Sequence, residues 1–148
     1  MKAVRHIAIA LFAAIAPLHA VAQGWPNLDQ LLFSTLTQSG TAEASFWLPD
    51  HPNADQATRA LGVVYEHIPG SAGNTGIALG IYTKAGSAWQ FVGPVDGVFG
   101  QSPRDPAFAG NFLDITTSLV GPNDARCCPT LAGRWRIDLS TFTATRLN

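Results

Sequence analysis

Four short runs of every-second-residue alternation constrain this chain more than any motif in it. Leu61, Val63 and Tyr65 alternate with Gly62, Val64 and Glu66; Ile77, Leu79 and Ile81 alternate with Gly76, Ala78 and Gly80. Leu113, Ile115, Thr117 and Leu119 alternate with Asp114, Thr116 and Ser118; Trp135, Ile137 and Leu139 alternate with Arg134, Arg136 and Asp138. Successive side chains of a strand point to opposite faces, so this period specifies strands with one apolar face each. Turn-forming residues separate the runs: Pro69 to Asn74, Lys84-Ala85-Gly86-Ser87, Ala109-Gly110-Asn111 and Gly121 to Asp124. Closely spaced strands with such turns predict an antiparallel meander and not βαβ units.

The remaining segments fill in that picture. Thr41 to Leu48 and Ala88 to Val92 are β-prone, Pro49 to Asp55 is a polar loop, and Phe142 to Leu147 is a final short strand. Asn27 to Leu36 has helical spacing in Leu28, Leu31, Leu32 and Leu36, with Asn27 as the cap, although Phe33 and the Ser/Thr content also suit a strand. Gly93 to Asp105 is the longest irregular stretch, with Val98 and Phe99 as an apolar plug. The face bearing Gly76, Ala78 and Gly80 is nearly bare, so another backbone or a large side chain such as Trp89 or Tyr82 must cover it. The expected class is mainly β, with α+β allowed: a single antiparallel meander sheet, or a half-barrel, with one N-terminal helix on one face.

The N-terminus addresses the chain for export. Lys2 and Arg5 precede an apolar run from Ile7 to Pro17, and Ala20-Val21-Ala22 fits a small-residue cleavage site. The run is shorter than the roughly 20 apolar residues a membrane span needs. We therefore expect a signal peptide at 1–22 and one β-rich domain at 23–148, periplasmic or secreted and without a membrane span. Losing Lys2 and Arg5 from nine basic residues leaves seven against ten acidic ones, a net charge near −3. That balance argues against nucleic acid as a partner. A chain of this length buries enough apolar surface to fold without a disulfide framework, and we expect a monomer.

Tests for catalytic chemistry find little. There is no Gly-x-Ser-x-Gly, and His67 with Ser71 makes only a weak nucleophile–base pair at the end of a strand. Gly70, Gly73 and Gly76 lack the spacing and strand-to-helix context of a phosphate loop. Asp50, Asn53 and Asp55 lack the spacing, glycine and final Glu of a calcium loop. We therefore expect no catalytic residue, no cofactor and no metal site.

What is unusual is Asp124-Ala125-Arg126-Cys127-Cys128-Pro129-Thr130, which holds the only two cysteines. Adjacent Cα atoms lie about 3.8 Å apart, whereas ordinary disulfides want roughly 4.4–6.8 Å. A Cys127–Cys128 bond would close a tight eight-membered ring and stiffen the turn locally. Pro129 restricts Cys128 to extended geometry, so the pair sits where a loop re-enters a strand and the ring is sterically allowed. An oxidising compartment favours the ring. Two separate thiols, intermolecular bridging and metal capture are the alternatives. Arg126 is a candidate for stabilising a Cys127 thiolate, against the plainer role of pairing with Asp124 or Asp114.

That turn resembles a D-x-x-C-C-P-[S/T] turn near the C-terminus of small exported bacterial envelope proteins of no assigned activity. The resemblance covers about the last third of the chain, including the Arg/Trp strand after the turn. It implies a bacterial envelope setting and assigns no catalytic residue. The expected function is a small binding or scaffold protein of the envelope, with an unknown envelope protein or ligand as partner. The candidate functional or structural turn is Asp124, Arg126, Cys127, Cys128 and Pro129. The alternative is a periplasmic thiol-redox or metal-handling protein that uses the vicinal cysteines.

Overall fold

Nine elements follow one another in the computed structural model, which describes residues 24–38, 40–71, 75–125 and 127–148. The expected signal peptide lies outside the described residues. Helix α1 spans Leu28–Leu36, and the strands are β1 Ala42–Pro49, β2 Arg59–His67, β3 Thr75–Ala85, β4 Ala88–Val95, β5 Gln101–Ala109, β6 Phe112–Leu119, β7 Leu131–Asp138 and β8 Thr143–Arg146. The class is mainly β with one helix, as the alternation predicts. The single expected meander is, however, two: β1-β2-β3-β4 form one antiparallel sheet and β5-β6-β7-β8 the other.

The break falls where the backbone cannot continue a ladder. Gly97 at φ 89° and Gly100 at φ 108° lie in conformations that side chains disfavour, and between them the chain crosses to the second sheet. The irregular stretch is therefore shorter than the expected Gly93 to Asp105. Its ends belong to β4 and β5. Strand β5 is hard to see in sequence because Pro103 and Pro106 interrupt it and Ser102 and Asp105 take positive φ, which shifts its register against β6.

The inward faces of the two sheets meet in one core. Leu61, Val63, Leu79 and Ile81 come from the first sheet, and Leu113, Ile115, Trp135 and Ile137 from the second. Val98 plugs this core as expected, while Phe99 is 63% exposed and lies edge-on to Trp135 with ring centroids 5.9 Å apart. The Trp135 indole N–H donates to Thr117 Oγ1 at 2.8 Å, and the Thr117 hydroxyl donates to the Phe99 carbonyl at 2.7 Å. Tyr65, also buried here, donates to the Gly100 carbonyl at 3.0 Å, and burial pushes its phenol up to about 12. The crossing segment is thus bonded to both sheets. Asp96 is laced to β8 as well: its N–H donates to the Phe142 carbonyl at 2.9 Å and its carbonyl accepts from Ala144 N–H at 2.8 Å. The sheets do not join into a closed barrel.

The outer face of the first sheet carries α1. Asn27 caps the helix, its side chain accepting from Gln30 N–H at 3.1 Å. Gly62 and Gly80 are cross-strand partners, and together they form the hollow that receives the helix. A Cβ at Gly62 would lie 2.3 Å from Leu32 Cδ2 and 2.6 Å from Tyr82 Cε2. One at Gly80 would lie 2.5 Å from Phe91 Cε2 and 2.9 Å from Leu36 Cδ2. Helix leucines and Phe91 thus cover the bare face at Gly80. Tyr82 covers Gly62, and Trp89 stacks instead on Trp25, centroids 5.9 Å apart. Burying Leu32 and Leu36 contributes roughly 1.5–3 kcal/mol each. Glu66, buried on the same face, accepts the Gln38 N–H at 2.5 Å and ties the helix exit to β2.

Three of the four sheet edges are blunted along their strands, and β1 carries a proline only at its last residue. Pro49 ends β1, Pro94 sits in β4, Pro103 and Pro106 interrupt β5, and β8 is only four residues long. Adding a partner strand is therefore disfavoured at the β4, β5 and β8 edges. Gly62→Ala is expected to overpack the helix seat and lower stability by about 1–3 kcal/mol in urea unfolding, with the far-ultraviolet spectrum retained.

Candidate functional site

The β6–β7 connection, residues 120–130, holds the one unusual cluster. Its ends are fixed by the ladder pair Leu119 and Leu131 and, below it, by the buried Trp135. Asp124 clasps the loop. One carboxylate oxygen accepts from Gly121 N–H at 2.8 Å and from Thr130 N–H at 2.6 Å, and the other accepts the Thr130 hydroxyl at 2.8 Å. Two backbone donors at opposite ends of the loop thus converge on one side chain. The Gly121 and Thr130 amides, with the Thr130 hydroxyl, hold the Asp124 carboxyl below its ordinary value of 3.8.

Within the clasp, Cys128 N–H donates to the Ala125 carbonyl at 2.9 Å and closes a tight turn. Both cysteines are free and exposed, and their sulfurs are not at disulfide distance. The expected ring is absent from this structure for the reason the Cα spacing gives: closing it would strain the peptide inside a turn already held by two sets of hydrogen bonds. A hydrogen bond with Cys127, together with the charges of Cys127 and Asp124, pushes the Cys128 thiol up. A raised thiol stays protonated at neutral pH, the reverse of what a catalytic thiolate requires.

The remaining predicted members sort as follows. Pro129 is half-buried beside the pair. Arg126 lies outside the described residues, so neither role considered for it is placed. Asp114 pairs with Arg136 through two 2.7 Å hydrogen bonds, which hold its carboxyl below the ordinary value. Arg136 also lies 5.6 Å above the Phe112 ring, on the solvated face that the alternation predicts.

The other sites weighed in the sequence resolve into structural roles. His67 Nδ1 lies 3.4 Å from a Glu43 carboxylate oxygen, and the Ser71 hydroxyl donates to the Ile68 carbonyl at 2.7 Å. The glycine loop joins β2 to β3 antiparallel, and its Gly73 lies outside the described residues. Asp50 accepts the Thr58 N–H at 2.9 Å and the Thr58 hydroxyl at 2.7 Å, and Asn53 accepts Asp55 N–H at 2.8 Å. Asp50 is therefore a second loop clasp of the same Asp–Thr kind. Among the described residues, no three His, Cys, Asp or Glu side chains gather where they could hold a metal.

Sequence reasoning missed Thr130 and Thr58 as the partners of these clasps. The available signal was an Asp within or opening a turn-rich loop with a Thr at the loop's far end. It is faint because the loop length between them is free. Hydrophobic exposure at the site was missed too: Val120 at 53% and Leu131 at 43% flank the loop. Phe99 stands on the neighbouring crossover, whose Gly100 approaches Leu119.

The fold and site together define a two-sheet antiparallel β protein with one covering helix and a clasped, dithiol-bearing loop. In comparisons with known proteins, no family model, curated protein or solved structure matches the chain.

The depressed Asp124 carboxyl supports the folded loop above pH 3.8 and loses that support as the pH falls through its own lower value. Asp124→Ala is expected to speed hydrogen exchange at the Gly121 and Thr130 amides by about tenfold at neutral pH, the effect of one lost hydrogen bond. Wild type at a pH below the carboxyl's own lowered value should approach the same rates after correction for intrinsic exchange. In urea unfolding, Trp135→Ala is expected to cost about 3–5 kcal/mol and joint Cys127→Ser, Cys128→Ser replacement about 0.5 kcal/mol or less. The reverse order would mean that the cysteines act as core.

Proposed function

We propose that this chain is a small exported binding or scaffold domain of the bacterial envelope, and that the 120–130 loop is the surface it presents. One observation carries the reading: the β6–β7 hairpin holds out a loop clasped by Asp124, with exposed Val120 and Leu131 at its neck and Phe99 nearby. A preorganised loop loses little conformational freedom on binding, and apolar residues around a polar tip supply area to bury. The blunted β4, β5 and β8 edges direct recognition on their sides to a loop and away from strand addition. The apolar run at Ile7 to Pro17, the small-residue site before Gln23 and the likeness of the turn to those of exported envelope proteins support the setting.

A second reading is favoured by one specific observation. Both thiols are free, exposed and adjacent in the chain, which suits a thiol or metal-handling role.

Photo-crosslinking in the producing cell tests the first reading. A photoreactive residue placed at Val120 or at Leu131 is expected to give an adduct of the same defined mass, which Asp124→Ala abolishes. The same group at Ser87, exposed in the β3–β4 turn, should give none. Adducts at Ser87 alone, or at no position, would count against the loop as the binding surface.

A further inference from the structure

We infer that the outer edge of β1, with the cavity beside it, takes an extended peptide as an added strand, one that carries an apolar residue between basic ones. This goes beyond the loop surface and does not rest on it.

The argument starts from the phase of the ladder. Asp50 N–H donates to the Arg59 carbonyl at 2.9 Å, and Leu48, Phe46 and Ala44 lie opposite Leu61, Val63 and Tyr65. Bonded and non-bonded pairs alternate in an antiparallel ladder. Ala44, Phe46 and Leu48 therefore spend their backbone groups on β2, while Ser45, Trp47 and Pro49 turn theirs outward. Pro49, which has no N–H, stands where β2 asks for none. Among the described residues β1 pairs with β2 alone. Strand β5 lies against β1, but Pro103, Pro106 and the positive φ of Ser102 and Asp105 bend it out of any ladder with β1. The edge is also held in place. The Trp47 ring packs on Trp89 and Trp25, centroids 5.0 and 6.1 Å away, and the Ser45 hydroxyl donates to Asp29 at 2.7 Å. An ordered edge with outward N–H and C=O groups is a template for a further strand.

A cavity of about 300 Å³ opens at the same edge, lined among others by Glu43, Ala44, Phe46, Tyr65 and Ser102. Its wall is already built: Phe46 meets Tyr65 edge-on at 5.8 Å, and Tyr65 is bonded to the Gly100 carbonyl. Side chains of an added strand alternate between faces. A residue opposite Ala44 points to the inner face and into this cavity, where Phe46 and Tyr65 suit an apolar side chain. Its neighbours point to the outer face, beside Ser45 and Asp29.

Charge selects the partner. The carboxylates along β1 are Asp29, Glu43 and Asp50; Arg59 faces Asp50 at 3.7 Å and His67 faces Glu43 at 3.4 Å. Asp29, beside the middle of the strand, favours lysine or arginine on the outer face of the guest. A second copy of β1 is a poor guest, because Ala42–Pro49 holds Glu43 and no lysine or arginine, and would lay carboxylate against carboxylate.

The test uses the full chain and the capped peptide Thr-Val-Lys-Phe-Lys-Val-Thr, with a second peptide in which Glu replaces both Lys. The Lys peptide is expected to slow hydrogen exchange at the Ser45 and Trp47 amides about tenfold and to bind about fivefold tighter than the Glu peptide. Ser45→Pro removes one outward donor and leaves the bonds to β2, so it should weaken the Lys peptide about tenfold with the circular dichroism spectrum retained. Asp29→Lys should turn the preference towards the Glu peptide, and it decides the matter alone if Ser45→Pro does not fold. Unchanged exchange at Ser45 and Trp47, equal binding by a folded Ser45→Pro, or a Lys preference that survives Asp29→Lys would each overturn the inference. Slow exchange at Ser45 and Trp47 that grows with protein concentration without peptide would overturn it in favour of a second copy. Slowing confined to amides of residues 120–130 would overturn it and leave the loop reading standing, and loss of the Val120 and Leu131 adducts would not touch it.

Discussion

The Gly62–Gly80 pair sets the thickness of this protein. Strand β2 is buried on both faces, so its sheet needs cover outside as well as inside. Two glycines side by side in the ladder remove the only atoms that would hold α1 away, and Leu32 and Leu36 enter the space. Without that seat, the outer face of the first sheet would leave Val64, Tyr82 and Trp89 open to water. The helix is short, and an isolated helix of its length is marginal, so it exists because this hollow exists.

The second sheet has cover on one face only and manages the other with charge. Arg136 pairs with Asp114 and lies over Phe112, so its stem shields apolar surface while its head stays wet. The inner face is pinned by the Trp135–Thr117–Phe99 chain of hydrogen bonds, which also anchors the crossover between sheets. The 120–130 loop springs from this pinned region. Its order therefore comes from below, through β6 and β7, and from within, through Asp124. The Asp124 clasp is made with Gly121 and Thr130 and uses neither cysteine side chain.

Different features of the chain were legible to different degrees. The β2, β3, β6 and β7 runs stand out because their alternation is strong, and the hairpin turns at Gly86 and Gly110 are short and glycine-marked. The helix was visible through Asn27 and its leucines. Strand β5 was hidden because prolines and positive-φ residues are the ordinary signature of a loop, and here they describe a bulged edge strand. The cysteine loop could be located but not its redox state, since adjacency permits a strained ring and does not compel it. Thr130 and Thr58 stayed unmarked because a clasp is a contact between positions whose separation no local rule sets.

By itself the sequence determined the class, the strand faces, the turn positions and the cysteine pair, because each follows from period, backbone restriction or composition within a few residues. Only the tertiary structure decided that the meander divides into two facing sheets and that helix leucines fill the glycine hollow. The same holds for Asp124 closing the loop with both thiols open. Those outcomes depend on which distant surfaces can be buried together, and burial is a property of the assembled chain, not of any stretch of it.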